Sequence, residues 1–346
     1  MGLWALDAET LAHGRFALSP LTETVAALRV LVAGAPSHPA ERDWVAAHLP
    51  AFRARLDRDP GTAALVRAGL RRTWTADFLT PVPPVEGTAD FAGELAVVRA
   101  TPPERARADL RAARRHDRPR RPADAEEQAG WAGPADGPDP DAGPDAGPED
   151  LPGIAADLLS WLWERAVAPD WDRRRQLLAA HVVARTRQVA EGGWAAALEC
   201  LGPDVRWLGD GRLRINARDN PDREIIGARL LLVPVTPRHG WVTWREPDRY
   251  ALVHPCTGVL AEPGRRPAPR ALTALLGPAR ARVLLLTVTP MSTTHLVAAT
   301  GLALGSVGRH LRVLTDAGLL ERHRQGRSVL YRHTPAARVL LRAAGG

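Results

Sequence analysis

The chain has 346 residues, enough for two or three domains, with an apolar fraction of 45% and a formal net charge of +7. Two cysteines exclude a disulfide framework. The opening MGLWALDAET has no basic segment followed by a long apolar run, and stretches such as RLLLVPV are too short to span a bilayer, so a cytoplasmic setting is expected.

Residues 1–100 read as a helical N-terminal region. LTETVAALRVLVAG has a Ser19-Pro20 entry and Gly34 as its stop, and PAERDWVAAHLPAFRARL and TAALVRAGLRRTWTADFL continue the pattern. Residues 101–150 turn to Pro, Gly, Ala and charge. Eight arginines lie between Arg105 and Arg121, then nine acids and no base between Asp124 and Asp150. Such a composition buries little apolar area, so a flexible linker is expected, its two charge blocks free to attract each other or to meet nucleic acid. Residues 151–265 return to helix in IAADLLSWLWERAV and RRRQLLAAHVVARTRQVAEGGWAAALECL. Past Gly202 the period becomes two. VRWLGDGRLRIN has the Gly-Asp-Gly turn of a hairpin, and EIIGARLLLVPV, GWVTW and YALVHP read as strands. This block is the candidate effector or interaction domain.

Residues 266–346 hold the concentrated charge. All 46 basic residues of the chain are arginine; eleven lie from Arg270 onward against Asp316 and Glu321, so this end is suited to an anion. RALTALLG and PARARVLLLTV predict two helices broken at Gly277-Pro278, and STTHLVAAT predicts a third with Ser292 or Thr293 as cap. In GLALGSVGRHLRVLTDAGLL, advancing about 100° per residue puts Leu304, Leu311 and Leu314 within about 60° of Val307 as a buried stripe. Gly305, Arg309 and Arg312 then face outward, with Ser306 at the edge. Each interior glycine costs roughly 1 kcal/mol relative to alanine, a cost that close approach to another molecule would explain. LLERHRQGRSVLYRHT follows as two alternating runs around Gln325-Gly326. Helix, turn, helix and hairpin together predict a winged helix-turn-helix behind a helical and α+β N-terminal region, an α+β fold overall.

VAATGLALGSVGRHLRVLTDAGLLERHRQGRSVLYRHT resembles the DNA-binding core of ArsR-type bacterial repressors, over about a fifth of the chain. The layout as a whole is similar to large actinobacterial regulators that carry this domain last, LLLVPV and HPCTG fitting that likeness. The resemblance implies a repressor reading the major groove of double-stranded DNA with helix 304–317, and the backbone or minor groove with the wing 320–333. Its DNA-contacting residues would be Thr293, Thr294, Gly305, Ser306, Gly308, Arg309, His310, Arg312, Arg322, Arg324 and Arg327. Ala303 and Gly308 depart from the family, which often has serine at both places. A homodimer is implied too, paired through Leu272, Leu275 and Leu276 and the terminal helix bearing Val339, Leu340 and Leu341. The alternative is a protein-interaction or ligand-sensing regulator in which DNA binding is secondary.

No cofactor, metal or catalytic activity is expected. His295, His310, His323 and His333 lack ligand spacing, and no cysteine precedes the turn as it does in metal-sensing relatives. His254 and Cys256 share a strand face without a third orienting group, which suits a half-buried cysteine better than a nucleophile. The tryptophans at 161, 163, 194, 207, 241 and 244 suit a core, or else an effector pocket.

Overall fold

The computed structural model describes residues 2–36, 41–84, 90–116, 150–198, 201, 205–216, 222–237, 239–256, 270–287, 291–300, 302–325 and 328–344. The chain divides into two compact units, residues 1–172 with 194–255, and residues 173–193 with 256–346.

The first unit opens with β1 (Gly2–Ala5), α1 (Ala8–Ala12), β2 (Arg15–Phe16) and α2 (Pro20–Ala33). Helix α2 is buried along nearly its whole length. The Ser19 hydroxyl accepts from Thr22 N–H at 2.9 Å, Pro20 presets the first turn, and Gly34 closes the helix at φ 68°. Around it lie α3 (Arg42–Arg58), α4 (Pro60–Gly69), a 3-10 turn at Asp77–Leu79, α5 (Phe91–Arg99), α6 (Pro103–His116) and α7 (Leu151–Leu162). Val25, Leu28, Phe52, Leu65, Leu158 and Leu159 make the centre of this helical core. The helix expected over TAALVRAGLRRTWTADFL stops at Gly69. The reason is Arg29: its buried guanidinium takes the carbonyls of Arg71 and Arg72 and the Thr75 hydroxyl, which only a non-helical turn can offer together.

The sheets follow α8 (Trp171–Leu198), a helix interrupted at Gly193, φ 72°. Their strands are β3 (Arg206–Gly209), β4 (Arg212–Asn216), β5 (Arg223–Glu224), β6 (Arg229–Val235), β7 (Trp241–Arg245) and β8 (Arg249–Pro255). One sheet has the order β3-β4-β1-β5, the other β2-β6-β8-β7. The Gly-Asp-Gly signal forms the β3–β4 hairpin, with Asp210 and Gly211 both at positive φ as a two-residue turn requires. Strands β1 and β2 fall within the stretch read as helical, and each pairs with strands some 200 residues away, so local pattern could not reveal them. Part of the expected linker is likewise ordered: α6 buries Ala106, Asp109 and Ala113. The rest of it, residues 117–149, lies outside the described residues.

The second unit takes residues 173–193 of α8, then α9 (Arg270–Leu276), α10 (Pro278–Leu286), β9 (Met291–Ser292), α11 (Thr293–Thr300), α12 (Leu304–Asp316), β10 (Leu320–Gln325), β11 (Ser328–His333) and α13 (Pro335–Ala344). Gly277, at φ 77°, separates α9 from α10. Val307, Leu311 and Leu314 point from α12 into a core with Leu272, Leu284, Met291, Leu296 and Leu320. Each buried leucine is worth about 1.5–3 kcal/mol. Leu304 was expected in this stripe but is 62% exposed. It is the first residue of α12, a full turn before Val307, and its side chain lies beyond the end of the core. Strands β10 and β11 form an antiparallel hairpin with β9 added at its inner edge.

Candidate functional site

The residues singled out from the sequence collect on α11, α12 and β10 of the second unit. Thr293 begins α11 half-buried, and Thr294 beside it is exposed. Along α12, Gly305, Arg309 and Arg312 are exposed, while Ser306, Gly308 and His310 are half-buried. A Cβ added at Gly305 or Gly308 would meet nothing within 4 Å, so neither glycine is demanded by packing inside the unit. Ala303 precedes α12 and gives it no side-chain cap. The C-terminus is better closed: Gly318 turns at φ 68°, and Leu319 N–H donates to Leu314 C=O at 2.9 Å.

The hairpin is tied to the helices by polar contacts. His333 is buried and its Nε2 lies 2.6 Å from Leu284 C=O, a bond the neutral ring makes as a donor. Burial pushes the His333 imidazole below its ordinary value, and Arg338 adds to the effect against the Leu284 hydrogen bond. The Thr334 hydroxyl donates to Gly318 C=O at 2.6 Å, joining the start of α13 to the end of α12. Across the hairpin Arg332 pairs with Glu321 at 2.8 Å. Arg322 is exposed opposite Tyr331. Arg324 faces Val329 in the backbone register. The side chain of Arg324 and the whole of Arg327 lie outside the described residues.

The expected pairing residues divide by burial. Leu272 is fully buried and Leu276, Leu340 and Leu341 pack partly against the core. Leu275 and Val339 are 66% and 65% exposed, apolar side chains on α9 and α13 with no core to enter.

In the first unit the tryptophans serve the cores: Trp161, Trp163 and Trp241 pack on the helical one, and Trp194, Trp207 and Trp244 on that of the β1 sheet. His254 and Cys256 are both buried. No group of three or more His, Cys, Asp and Glu side chains suited to a metal occurs among the described residues. Three carboxyls that the sequence reading missed are displaced from their ordinary range. Burial pushes Asp77 up to about 7, with the neighbouring Asp109 carboxyl reinforcing it. Asp109 is raised by burial too, although it accepts from Phe78 N–H at 2.9 Å and pairs with Arg105 at 3.0 Å. Burial takes Glu94 to about 7 while its Oε2 accepts from Leu21 N–H, at the first turn of α2. Only Arg105 and Asp109 show a helical i,i+4 spacing; the contacts of Asp109 with Phe78 and of Glu94 with Leu21 come from distant elements.

Residues 283–343 match the family model of the O-methyltransferase dimerisation domain. No curated protein and no solved structure matches the chain. The family match overturns the ArsR-type resemblance and with it the reading as a DNA-binding repressor and the partnership with double-stranded DNA. It also overturns the expectation that the chain has no enzymatic connection, because the matched module is typical of methyltransferases. The stripe and hairpin that suggested a DNA reader fall within the matched residues; those signals report how the segment packs, and packing alone does not determine its use. Among the described residues no helix is long and apolar enough to cross a membrane.

Proposed function

We propose that the chain is a methyltransferase-like protein that its C-terminal residues join to a second copy, α9–α13 and the three-stranded sheet forming a winged-helix module used for pairing. The observation that carries this reading is the match of residues 283–343 to a dimerisation domain. The exposed Leu275 and Val339 support it, since α9 and α13 pack together and both carry apolar surface outward. Charge supports the same face: a two-fold contact sets each patch against its own copy, so it is favoured where leucine and valine lie and disfavoured where Arg309 and Arg312 lie.

At the carboxyl end of β6, Thr236 donates its N–H at 2.8 Å and its hydroxyl to the buried Glu23 carboxylate, which ties this sheet to α2. The role proposed for the matched residues is assembly.

Light scattering on the full chain tests the pairing. Twice the 37.4 kDa chain mass is expected, falling to one chain mass in Leu275→Asp/Val339→Asp. A single-chain mass for the unaltered protein at micromolar concentration overturns the proposal.

A further inference from the structure

His333 sits where three elements of the second unit meet. It ends β11, its Nε2 donates to Leu284 C=O of α10 at 2.6 Å, and the next residue, Thr334, leads into α13. The Thr334 hydroxyl accepts from Ala337 N–H at 3.3 Å, and its carbonyl accepts from Arg338 N–H at 3.3 Å, so the first turn of α13 hangs from this joint. Ala337 is buried in the core, while Val339, two residues on, is exposed. The seat of α13 and the placing of its apolar face thus depend on one short stretch, residues 333–339.

The surroundings of the ring suit its neutral form. Arg338, on α13, is the charged group that acts on it. On α10, Arg282 donates to Ala299 C=O at 3.2 Å and Arg280 lies by Gly277. On the hairpin Glu321 pairs with Arg332, and Asp316 at the end of α12 is exposed. No described carboxylate acts on the imidazole, so a proton there would add a buried cation beside a guanidinium. Given the pairing through α9 and α13, on which this rests, we propose that His333 is an acid-sensitive latch on the association of two copies. Its protonation releases the start of α13 from α10, and the apolar face carrying Val339 loses its place. In the paired protein the ring is held neutral; with α13 released it regains the ordinary imidazole value of 6.5. Dissociation therefore takes up protons and is favoured as pH falls through that value, twice over because each copy brings one His333.

Analytical ultracentrifugation of the full chain at about pH 7.5 and about pH 5, on either side of the imidazole range, measures the dissociation constant. It is expected to rise at least about tenfold on acidification, with the far-UV circular dichroism of the folded chain retained. His333→Gln, whose amide N–H can take the Nε2 position without titrating, should pair equally at both values. Arg338→Gln changes an exposed residue and removes the neighbouring charge, so its rise should be smaller than that of the unaltered chain. It serves by itself if the glutamine variant at 333 fails to fold. A dissociation constant unchanged on acidification overturns the latch and leaves the pairing standing, as does an undiminished rise in either variant, which would place the titrating group elsewhere. Loss of the helical signal together with dissociation overturns it in favour of general acid unfolding. A single chain mass already at about pH 7.5 removes the pairing, and the latch with it.

Discussion

Asp77, Glu94 and His333 are single residues whose protonation is set by where the fold puts them, and they act in opposite directions. Asp77 and Glu94 titrate at about 7 in the folded chain, against 3.8 and 4.5 for the free groups. The folded state thus binds more protons over that interval. The stability they contribute is complete below the free values and is lost as pH rises through about 7. Asp77→Asn and Glu94→Gln mimic the protonated groups. Each should raise the melting temperature at about pH 8, by at least about 1 kcal/mol in stability, and flatten its fall from about pH 5 upward. Far-UV circular dichroism melts across that range check this; curves parallel to the unaltered protein's would refute it. His333 works the other way. Its lowered value means that the unfolded chain takes up protons first, so its contribution is present above 6.5 and lost as pH falls below it. His333→Ala should cost about 1–3 kcal/mol near neutral pH by leaving Leu284 C=O without its donor, and urea unfolding monitored in the second unit measures the loss.

Helices α8 and α12 each contain glycine that helix propensity disfavours, for different reasons. Gly193 interrupts α8 at φ 72° and ψ 179°, a conformation essentially restricted to glycine that costs another residue about 1–3 kcal/mol. Gly193→Ala should lower stability by that amount, or straighten the helix and move Trp194, whose ring stacks on Phe16 at 6.1 Å. Tryptophan fluorescence would report the displacement. Gly308 has ordinary helical backbone and empty space around it, so Gly308→Ala should stabilise the protein by about 1 kcal/mol, read from the urea midpoint. A destabilised Gly308→Ala would mean that the open face of α12 is already covered in the free protein.

For the whole molecule, the proposed pairing through α9 and α13 would couple stability to concentration. A dimer that dissociates on unfolding melts higher when more concentrated, because mass action favours the associated native state. The unaltered chain should show this dependence and Leu275→Asp/Val339→Asp should lose it, in scanning calorimetry over a hundredfold range of concentration (about 1–100 µM, spanning the usual affinity of such contacts). Melting independent of concentration in both proteins would remove the pairing from the account. The substitutions fall on side chains about two-thirds exposed, so the monomer core is left intact.

Local chemistry in the sequence was enough for several elements. Ser19, Pro20 and Gly34 delimit α2, Gly-Asp-Gly turns β3 into β4, and the 3.6-residue period of Val307, Leu311 and Leu314 selects the buried face of α12. These depend on neighbours within a few residues, which is why they could be read directly. The tertiary structure alone decided that Gly2–Ala5 is a strand, because its partners lie beyond residue 211 and no short pattern encodes them. It alone decided that Leu304 is exposed, that α4 ends where Arg29 needs acceptors, and that Asp77 and Glu94 are held near neutrality by burial. The use of the C-terminal segment was beyond the reach of periodicity altogether. A helix stripe and a hairpin record how apolar side chains leave water, and that requirement is the same whether the outer face meets a phosphate or a protein.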